Sequence, residues 1–341
     1  MVTRALPAAA VLLLGACAQF TTVDGAPVRQ LPRPVVLMHR GAGQFNPDYR
    51  ENTLPALLYG AGIYDGTEMD LQLSEDGTLW LGHDNEVHDC TGPTDGPTDG
   101  AVVGCFQNLH DAQVDAVSWC DVSAASPCGP ALSPPTTASP SCRQHYVRLA
   151  DVFETFSTDP TLVHKLLALD VKDQLCATIP TGIPESRTMA DALDALVRTY
   201  GMDFRLLVES DQTTFMSRFR SNGTRTYLFV EGYGGVDPII ADAAQQGANG
   251  ISYRYTNAPF DPSLPAGLRD RGLRVIVWPV PMFGGSPLIA RVEDIPPVWE
   301  MAPDVILTDM PDFYDYLPSP QLLRDGPRAY DLGPVPGAPR R

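Results

Sequence analysis

Short apolar runs recur along the chain between residues 35 and 308, and most are followed by a stretch with helical spacing. Eight runs are predicted strands: Val35–Gly41, Thr67–Leu73, Lys165–Lys172, Arg205–Glu209, Tyr227–Glu231, Gly250–Tyr253, Arg274–Val280 and Asp304–Thr308. Helices are predicted between them at Thr53–Ile63, Met189–Tyr200, Thr213–Arg220, Pro238–Gln246, Ala266–Arg271 and Ser286–Val292. Strands that alternate with helices in this way predict a parallel sheet covered by helices.

Eight such strands in a chain of 341 residues favour a (β/α)₈ TIM barrel, which we place at residues 33–317. An open, doubly wound sheet is the structural alternative. That architecture typically carries a Gly-rich dinucleotide loop after its first strand, and no such loop follows Val35–Gly41. The barrel is therefore the predicted fold.

Three segments fall outside this alternation. Residues 85–148 are rich in Gly, Pro, Ser, Thr and Cys, and we expect them to form an insertion between the second and third strands, with disulfides as its main staple. Residues 18–32 are a predicted linker. Residues 318–341 are rich in Pro, Gly and Arg and are a predicted disordered tail.

The N-terminal 17 residues have the pattern of an export signal. Arg4 precedes an apolar run, Ala5 to Ala16, that is too short for a membrane-spanning helix of roughly 20 residues. Leu14-Gly15-Ala16-Cys17 resembles a bacterial lipobox, which would leave a lipidated Cys17 as a membrane tether. Ordinary cleavage at Ala16-Cys17-Ala18 is the alternative. We expect a cell-envelope lipoprotein, or else a periplasmic or secreted protein.

Cysteine usage agrees with export. Six cysteines remain besides the one in the signal, and an even number in an exported chain predicts disulfides. They are Cys90, Cys105, Cys120, Cys128, Cys142 and Cys176. Because no C-x-x-C pair is present, a structural zinc site is not expected.

The net charge of −17 excludes nucleic acid as an expected partner, because binding its phosphates needs basic patches. The basic residues are nearly all arginine. Lysine occurs only at positions 165 and 172, and the second of these lies in a segment that also carries candidate chemistry.

Candidate metal ligands alternate with apolar residues in the second predicted strand. With a period of two, Glu68 and Asp70 point to one face, and Met69 and Leu71 point to the other. In a barrel the apolar face meets the helices, so the carboxylates point inward. Two buried like charges are costly unless a cation joins them, and Ca²⁺ and Mg²⁺ take such oxygen ligands.

Other charged residues are expected at the same end of the barrel. His39 ends the first strand, and Asp170 and Lys172 share the inward face of the third. The Asp76-Gly77 turn predicts a hairpin that brings His83 back toward the acids. Since the carboxyl ends of barrel strands form the active-site face, these groups predict an active site.

Together these motifs resemble the glycerophosphodiester phosphodiesterase family. The ordered set is His39–Gly41, Glu51–Ala56, Glu68–Asp70, Asp76-Gly77, His83-Asp84, Asp170–Lys172, Trp278 and Val305–Pro311. The resemblance covers the barrel and excludes the signal, the insertion and the tail. It implies a (β/α)₈ barrel with one divalent cation, Ca²⁺ or Mg²⁺.

The resemblance also implies roles for individual residues. The metal ligands would be Glu68, Asp70 and Asp170, and the general acid and base would be His39 and His83. Arg40 and Lys172 would contact the phosphate, and Trp278 would line the substrate pocket. The third ligand in the family is commonly Glu, so Asp170 departs from the pattern. Two roles are open for Glu51: it would either brace Arg40 or begin a helix as part of a capping arrangement.

The function expected from this set is hydrolysis of glycerophosphodiesters to glycerol 3-phosphate and an alcohol. One alternative is a sphingomyelinase D-like phospholipase acting on sphingomyelin or lysophospholipids, which shares the two-histidine, three-carboxylate plan. The other is a non-catalytic, surface-anchored binding protein on a degenerate barrel.

Overall fold

The computed structural model describes residues 33–42, 49–89, 101–117, 145–172, 183–232, 236–255, 261–280, 283–284 and 289–317. The predicted signal, linker and tail lie outside these residues, as do Cys17 and five of the other six cysteines. Cys105 lies within them and is disulfide-bonded. In the described part of the chain, no helix has the length and apolar character needed to cross a membrane.

Strands and helices alternate along the described residues. They are β1 (Val35–Met38), α1 (Leu54–Ile63), β2 (Gly66–Leu73), β3 (Leu79–Leu81), β4 (Glu86–Asp89), β5 (Ala101–Cys105), α2 (Asp111–Asp115), α3 (Leu149–Thr158), β6 (Leu166–Val171), α4 (Ile183–Tyr200), β7 (Leu206–Ser210), α5 (Thr213–Ser221), β8 (Tyr227–Gly232), α6 (Val236–Gln246), β9 (Gly250–Arg254), α7 (Leu264–Asp270), β10 (Arg274–Trp278), β11 (Phe283–Gly284), β12 (Ile289–Ala290), α8 (Ile295–Glu300) and β13 (Val305–Thr308).

Eight parallel strands close into a barrel in the order β1, β2, β6, β7, β8, β9, β10 and β13. β1 closes the ring, because it pairs with β2 through Leu37 and Gly66 and with β13 through Val35 and Val305. β3 runs antiparallel to β2 and forms the predicted hairpin. The prediction of a TIM barrel is confirmed.

Two apolar cores lie on opposite sides of the barrel wall. The outer core packs the odd positions of β2, such as Met69 and Leu71, against helical side chains that include Leu57 and Phe153. The inner core fills the barrel with Val35, Leu37, Leu166, Ala168, Leu207, Tyr227, Phe229, Ile276, Val305 and Leu307. Since side chains alternate along a strand, the residues two positions after these inner ones point into the barrel mouth.

The predicted helix over Ser286–Val292 is wrong at the residues that the structure describes, 289–292, and residues 286–288 lie outside them. Ile289–Ala290 is instead the short strand β12, which pairs with β11, and the helix begins later, at Ile295. Two prolines, Pro296 and Pro297, stand in the first turn of that helix. Proline lacks an N–H that the first turn does not use, so it marks the start of a helix here.

Helix α3 was not predicted, although the sequence carries its signal. Its buried residues are Leu149, Val152, Phe153 and Phe156, which follow the i, i+3, i+4, i+7 spacing of an amphipathic helix. The helix begins directly after the predicted insertion, whose composition obscures this boundary.

The described parts of residues 85–148 contribute to a small third core, beside any disulfides. Its members are Trp80, Val87, Phe106, Leu109, Val114, Val117 and Tyr146. Asp111 of α2 accepts hydrogen bonds from Ser74 Oγ at 2.7 Å and from Trp80 Nε1 at 3.0 Å. This segment is therefore joined to the β2–β3 hairpin by apolar packing and hydrogen bonds. Of the cysteines in residues 85–148, only Cys105 lies within the described residues, so the expectation that disulfides are the main staple of the insertion stays a prediction.

Candidate active site

Three carboxylates meet at the inner side of the barrel mouth. Oxygens of Glu68, Asp70 and Asp170 lie within 4.8 Å of one another. Asp70 on β2 and Asp170 on β6 are direct neighbours across the sheet. The predicted ligand set is thus brought together by adjacent strands.

The cluster fits a divalent cation. Asp170 Oδ1 is buried and, among the described residues, has no hydrogen-bond partner. Burial raises the pKa of Glu68 well above its usual range, and the charges of Asp70 and Asp170 raise it further. Buried carboxylates that repel one another favour a cation between them, and an all-oxygen donor set suits Ca²⁺ or Mg²⁺.

Asp70 is the most heavily partnered of the three. It receives a hydrogen bond from Asn52 Nδ2 at 2.7 Å, and it lies 3.0 Å from Lys172 Nζ and 3.4 Å from Arg40 Nε. Burial alone would raise the pKa of Asp70, but the charges of Lys172 and Arg40 bring it well below its usual range. Lys172 also donates a hydrogen bond to Asp170. The Asp70 carboxylate therefore stays ionised.

His39 follows β1 and is oriented by a residue from the far end of the barrel sequence. Its Nδ1 lies 2.8 Å from Asp309 Oδ1, and its Nε2 lies 3.9 Å from Glu68 Oε2. Because an ionised carboxylate only accepts hydrogen bonds, Nδ1 carries the hydrogen and Nε2 is left for chemistry on the side of the acids.

His83 reaches the same mouth through the hairpin. Gly77 takes the positive φ of +81° that the turn requires, and the Gly82 amide donates to the Asp70 carbonyl at 3.1 Å. The His83 side chain is about one third exposed, and its Nδ1 lies 2.8 Å from Asp84 Oδ1. That hydrogen bond lowers the pKa of Asp84.

The turn after His39 explains why a glycine follows Arg40. Arg40 and Gly41 both have positive φ, 51° and 88°, and a Cβ at Gly41 would lie 2.7 Å from the Leu57 backbone nitrogen. This left-handed turn directs the Arg40 amide to Glu68 Oε2 at 2.8 Å. Non-glycine residues in this conformation are uncommon and concentrate at functional sites.

Of the two interpretations left open for Glu51, the structure shows the brace. Arg40 NH1 donates to Glu51 Oε2 at 3.0 Å, whereas α1 begins only at Leu54 after its N-cap, Thr53. The Arg40 guanidinium is buried between Glu51 and Asp70. Burial opposes its charge, but the carboxylates around it raise the pKa of Arg40 above its usual value.

Trp278 lies at the end of β10 beside the histidine. The ring centroids of Trp278 and His39 are 6.3 Å apart, and the Arg254 guanidinium carbon lies 5.4 Å from the Trp278 ring centroid. The indole therefore forms part of the wall of the mouth, and its contact with a substrate stays a prediction.

Sequence reasoning assigned no role to three residues that the structure places in the site. Asn52 brackets Asp70, because its side chain both donates to that carboxylate and accepts from the Asp70 amide. Asp309 orients His39, and Asp84 orients His83. All three lie inside the quoted motifs, so the signal was present but their contacts were not visible in it.

The model of the "Glycerophosphoryl diester phosphodiesterase family" matches residues 39–313 of the chain. The match begins at His39 and spans every candidate site residue named above. No curated protein matches the chain.

Solved structures with this fold include three that are informative. The chain resembles a glycerophosphodiester phosphodiesterase from Parabacteroides distasonis with a TM-score of 0.60 and 14% identity, over 86% of this chain and 97% of that one. For a glycerophosphodiester phosphodiesterase from Agrobacterium tumefaciens, the TM-score is 0.53 and the identity 20%, over 82% of this chain and 98% of that one. For a phosphodiesterase from Oleispira antarctica, in complex with the product sn-glycerol-3-phosphate, the TM-score is 0.58 and the identity 16%, over 83% of this chain and 96% of that one. At these identities the likeness shows the fold.

Proposed function

The chain belongs to the glycerophosphoryl diester phosphodiesterase family, and from this premise we propose that it hydrolyses glycerophosphodiesters to glycerol 3-phosphate and an alcohol. The observation that carries the proposal is the cluster of Glu68, Asp70 and Asp170, with His39 and His83 at the same barrel mouth. The Oleispira antarctica phosphodiesterase, whose structure contains sn-glycerol-3-phosphate, supports the proposed product.

We propose that the reaction needs one divalent cation, Ca²⁺ or Mg²⁺, held by Glu68, Asp70 and Asp170. When bound there, such a cation acts as a Lewis acid toward phosphoryl oxygens. The three carboxylates supply the hard oxygen donors that these ions prefer.

The two histidines would carry the proton transfers. Each has its Nδ1 held by a carboxylate, so each presents Nε2. One Nε2 would accept the proton of the attacking hydroxyl, and the other would donate a proton to the leaving alkoxide. Asp309 and Asp84 hold the rings in the tautomer that this exchange requires.

Positively charged side chains would bind the phosphate group of the phosphodiester. Lys172 Nζ lies at the edge of the carboxylate cluster, and Arg40 is fixed beside Asp70 by Glu51. Their charges would oppose the negative charge that grows on the phosphoryl oxygens. Trp278 would pack against the rest of the substrate.

We also propose that the protein is exported and tethered to a membrane through a lipidated Cys17. The apolar run that ends in Leu14-Gly15-Ala16-Cys17 supports this. The even number of remaining cysteines supports disulfides in the mature protein, and Cys105 is disulfide-bonded.

A substrate panel tests the proposed activity. Initial rates with Mg²⁺ or Ca²⁺ would be measured on glycerophosphocholine and glycerophosphoethanolamine, and compared with the rate on sphingomyelin. We expect glycerol 3-phosphate from the first two, at higher rates than choline from sphingomyelin, because the chain belongs to the glycerophosphoryl diester phosphodiesterase family. Faster cleavage of sphingomyelin would support the sphingomyelinase D-like alternative. No cleavage of any substrate by the cation-loaded protein would support a binding protein.

A further inference from the structure

A fourth carboxylate, that of Glu209, lies beside the acid cluster. Glu209 stands on the inward face of β7, two residues after the inner-core residue Leu207, and its side chain is almost fully buried, at 2% exposure. In the sheet it is the direct neighbour of Asp170. In the sequence it is the last residue of the predicted strand Arg205–Glu209.

Within the described residues, one oxygen of the Glu209 carboxylate has a hydrogen-bond partner and the other has none. Ser252 of β9 donates a hydrogen bond to Glu209 Oε2. The other oxygen, Oε1, is buried and has no hydrogen-bond partner within the described residues. A buried acceptor in this state is costly, and native structures keep one chiefly where an ion, a water or chemistry uses it.

The local balance of charge points to a cation as that partner. Asp70, Asp170 and Glu209 form one row of inward carboxylates across β2, β6 and β7, and Glu68 lies two residues before Asp70 on β2. Lys172 and Arg40 both form ion pairs with Asp70, and Lys172 also pairs with Asp170. The four carboxylates carry more negative charge than these two side chains offset, and the unsatisfied Glu209 oxygen lies at the β7 end of the row.

We propose that Glu209 contributes a fourth carboxylate to the divalent-cation site, so that the site extends from β2 through β6 to β7. This inference rests on the proposed function, because it assigns a further residue to the same cation site. Glu209 would act on the cation either directly or through a bound water.

Cation affinity measured by calorimetry tests the inference. Wild-type full chain, Glu209→Gln and Glu154→Gln would each be stripped of metal and titrated with Ca²⁺ and with Mg²⁺. Glutamine keeps the size of the side chain and an oxygen for Ser252 but removes the charge. We expect Glu209→Gln to weaken cation binding by about tenfold to 100-fold. Glu154, the control, is exposed on helix α3 outside the barrel, and its variant should bind within about twofold of wild type.

Thermal unfolding gives a second readout on the same samples. Without cation, Glu209→Gln should be at least as stable as wild type, because it loses a repelled buried charge. Added cation should raise its Tm by less than that of wild type. Equal affinity of Glu209→Gln and wild type would overturn the inference and leave the proposed function standing, as would an equal loss in both variants. A wild-type protein that binds neither cation would overturn both.

Discussion

Replacing His39 by alanine should lower kcat for glycerophosphodiester hydrolysis by about 10²–10⁴-fold, because the variant loses one of its two proton-transfer groups. The imidazole is fixed by Asp309 on one side and faces Glu68 on the other. Because the apolar cores lie below the mouth, the barrel should stay folded. His83→Ala should lose activity to a similar degree.

The matched control for both variants is His164→Ala. His164 is exposed and precedes β6, at the end of the barrel opposite the mouth. Initial rates, circular dichroism and cation titration would be compared across the three variants and wild type. Near-normal hydrolysis by either His39→Ala or His83→Ala would contradict the assignment of these two histidines as the acid/base pair.

Asp70→Asn should be nearly as damaging, through cation binding. The variant removes a charged ligand, and a bound cation contributes several kcal/mol of transition-state stabilisation. At about 1.4 kcal/mol per factor of ten, we expect kcat to fall by at least about 10²-fold. Lys172 and Arg40 would also lose a buried counter-charge, which costs about 3–5 kcal/mol of unfolding free energy.

Urea unfolding and cation titration check both parts of this expectation. The control is Asp191→Asn, which removes an exposed carboxylate that pairs with Arg218 at 2.7 Å on the outside of the barrel. Exposed pairs are worth about 0–1 kcal/mol, so this variant should keep its stability and cation affinity. An Asp70→Asn protein with wild-type cation affinity would contradict the assignment of Asp70 as a ligand.

The barrel was predictable because its strands repeat one simple pattern. In β2 and β6, apolar residues alternate with polar ones, so the period alone places Glu68, Asp70 and Asp170 on the inward side. Parallel strands then bring the carboxyl ends together. The core of the candidate site therefore follows from local pattern and barrel topology, without any knowledge of side-chain contacts.

The elements that prediction missed depend on context. The sequence around Ser286 has helix-forming residues, yet tertiary structure uses Ile289–Ala290 as a strand. The start of α8 at Ile295 was missed although the Pro296-Pro297 pair marks it. Helix α3 had clear helical spacing, but it adjoins a segment whose composition favours loops. Local propensity is a weak guide at such boundaries.

The supporting contacts of the site could not be predicted at all. Asp309 comes from the far end of the barrel sequence and meets His39 only because β13 closes the barrel against β1. Asn52 lies in a loop and contacts Asp70 from there. Its φ of +58° is a conformation that the surrounding packing selects. Contacts of this kind are set by tertiary structure, and no period in the sequence encodes them.

The central claim is tested most directly by following glycerophosphocholine with ³¹P NMR in the presence of purified full chain. The spectrum would be recorded in excess chelator and again after Mg²⁺ or Ca²⁺ is restored. We predict that the glycerophosphocholine signal persists with chelator and is replaced by that of glycerol 3-phosphate once the cation returns. Full conversion in excess chelator, or a phosphorus product other than glycerol 3-phosphate, would contradict the account.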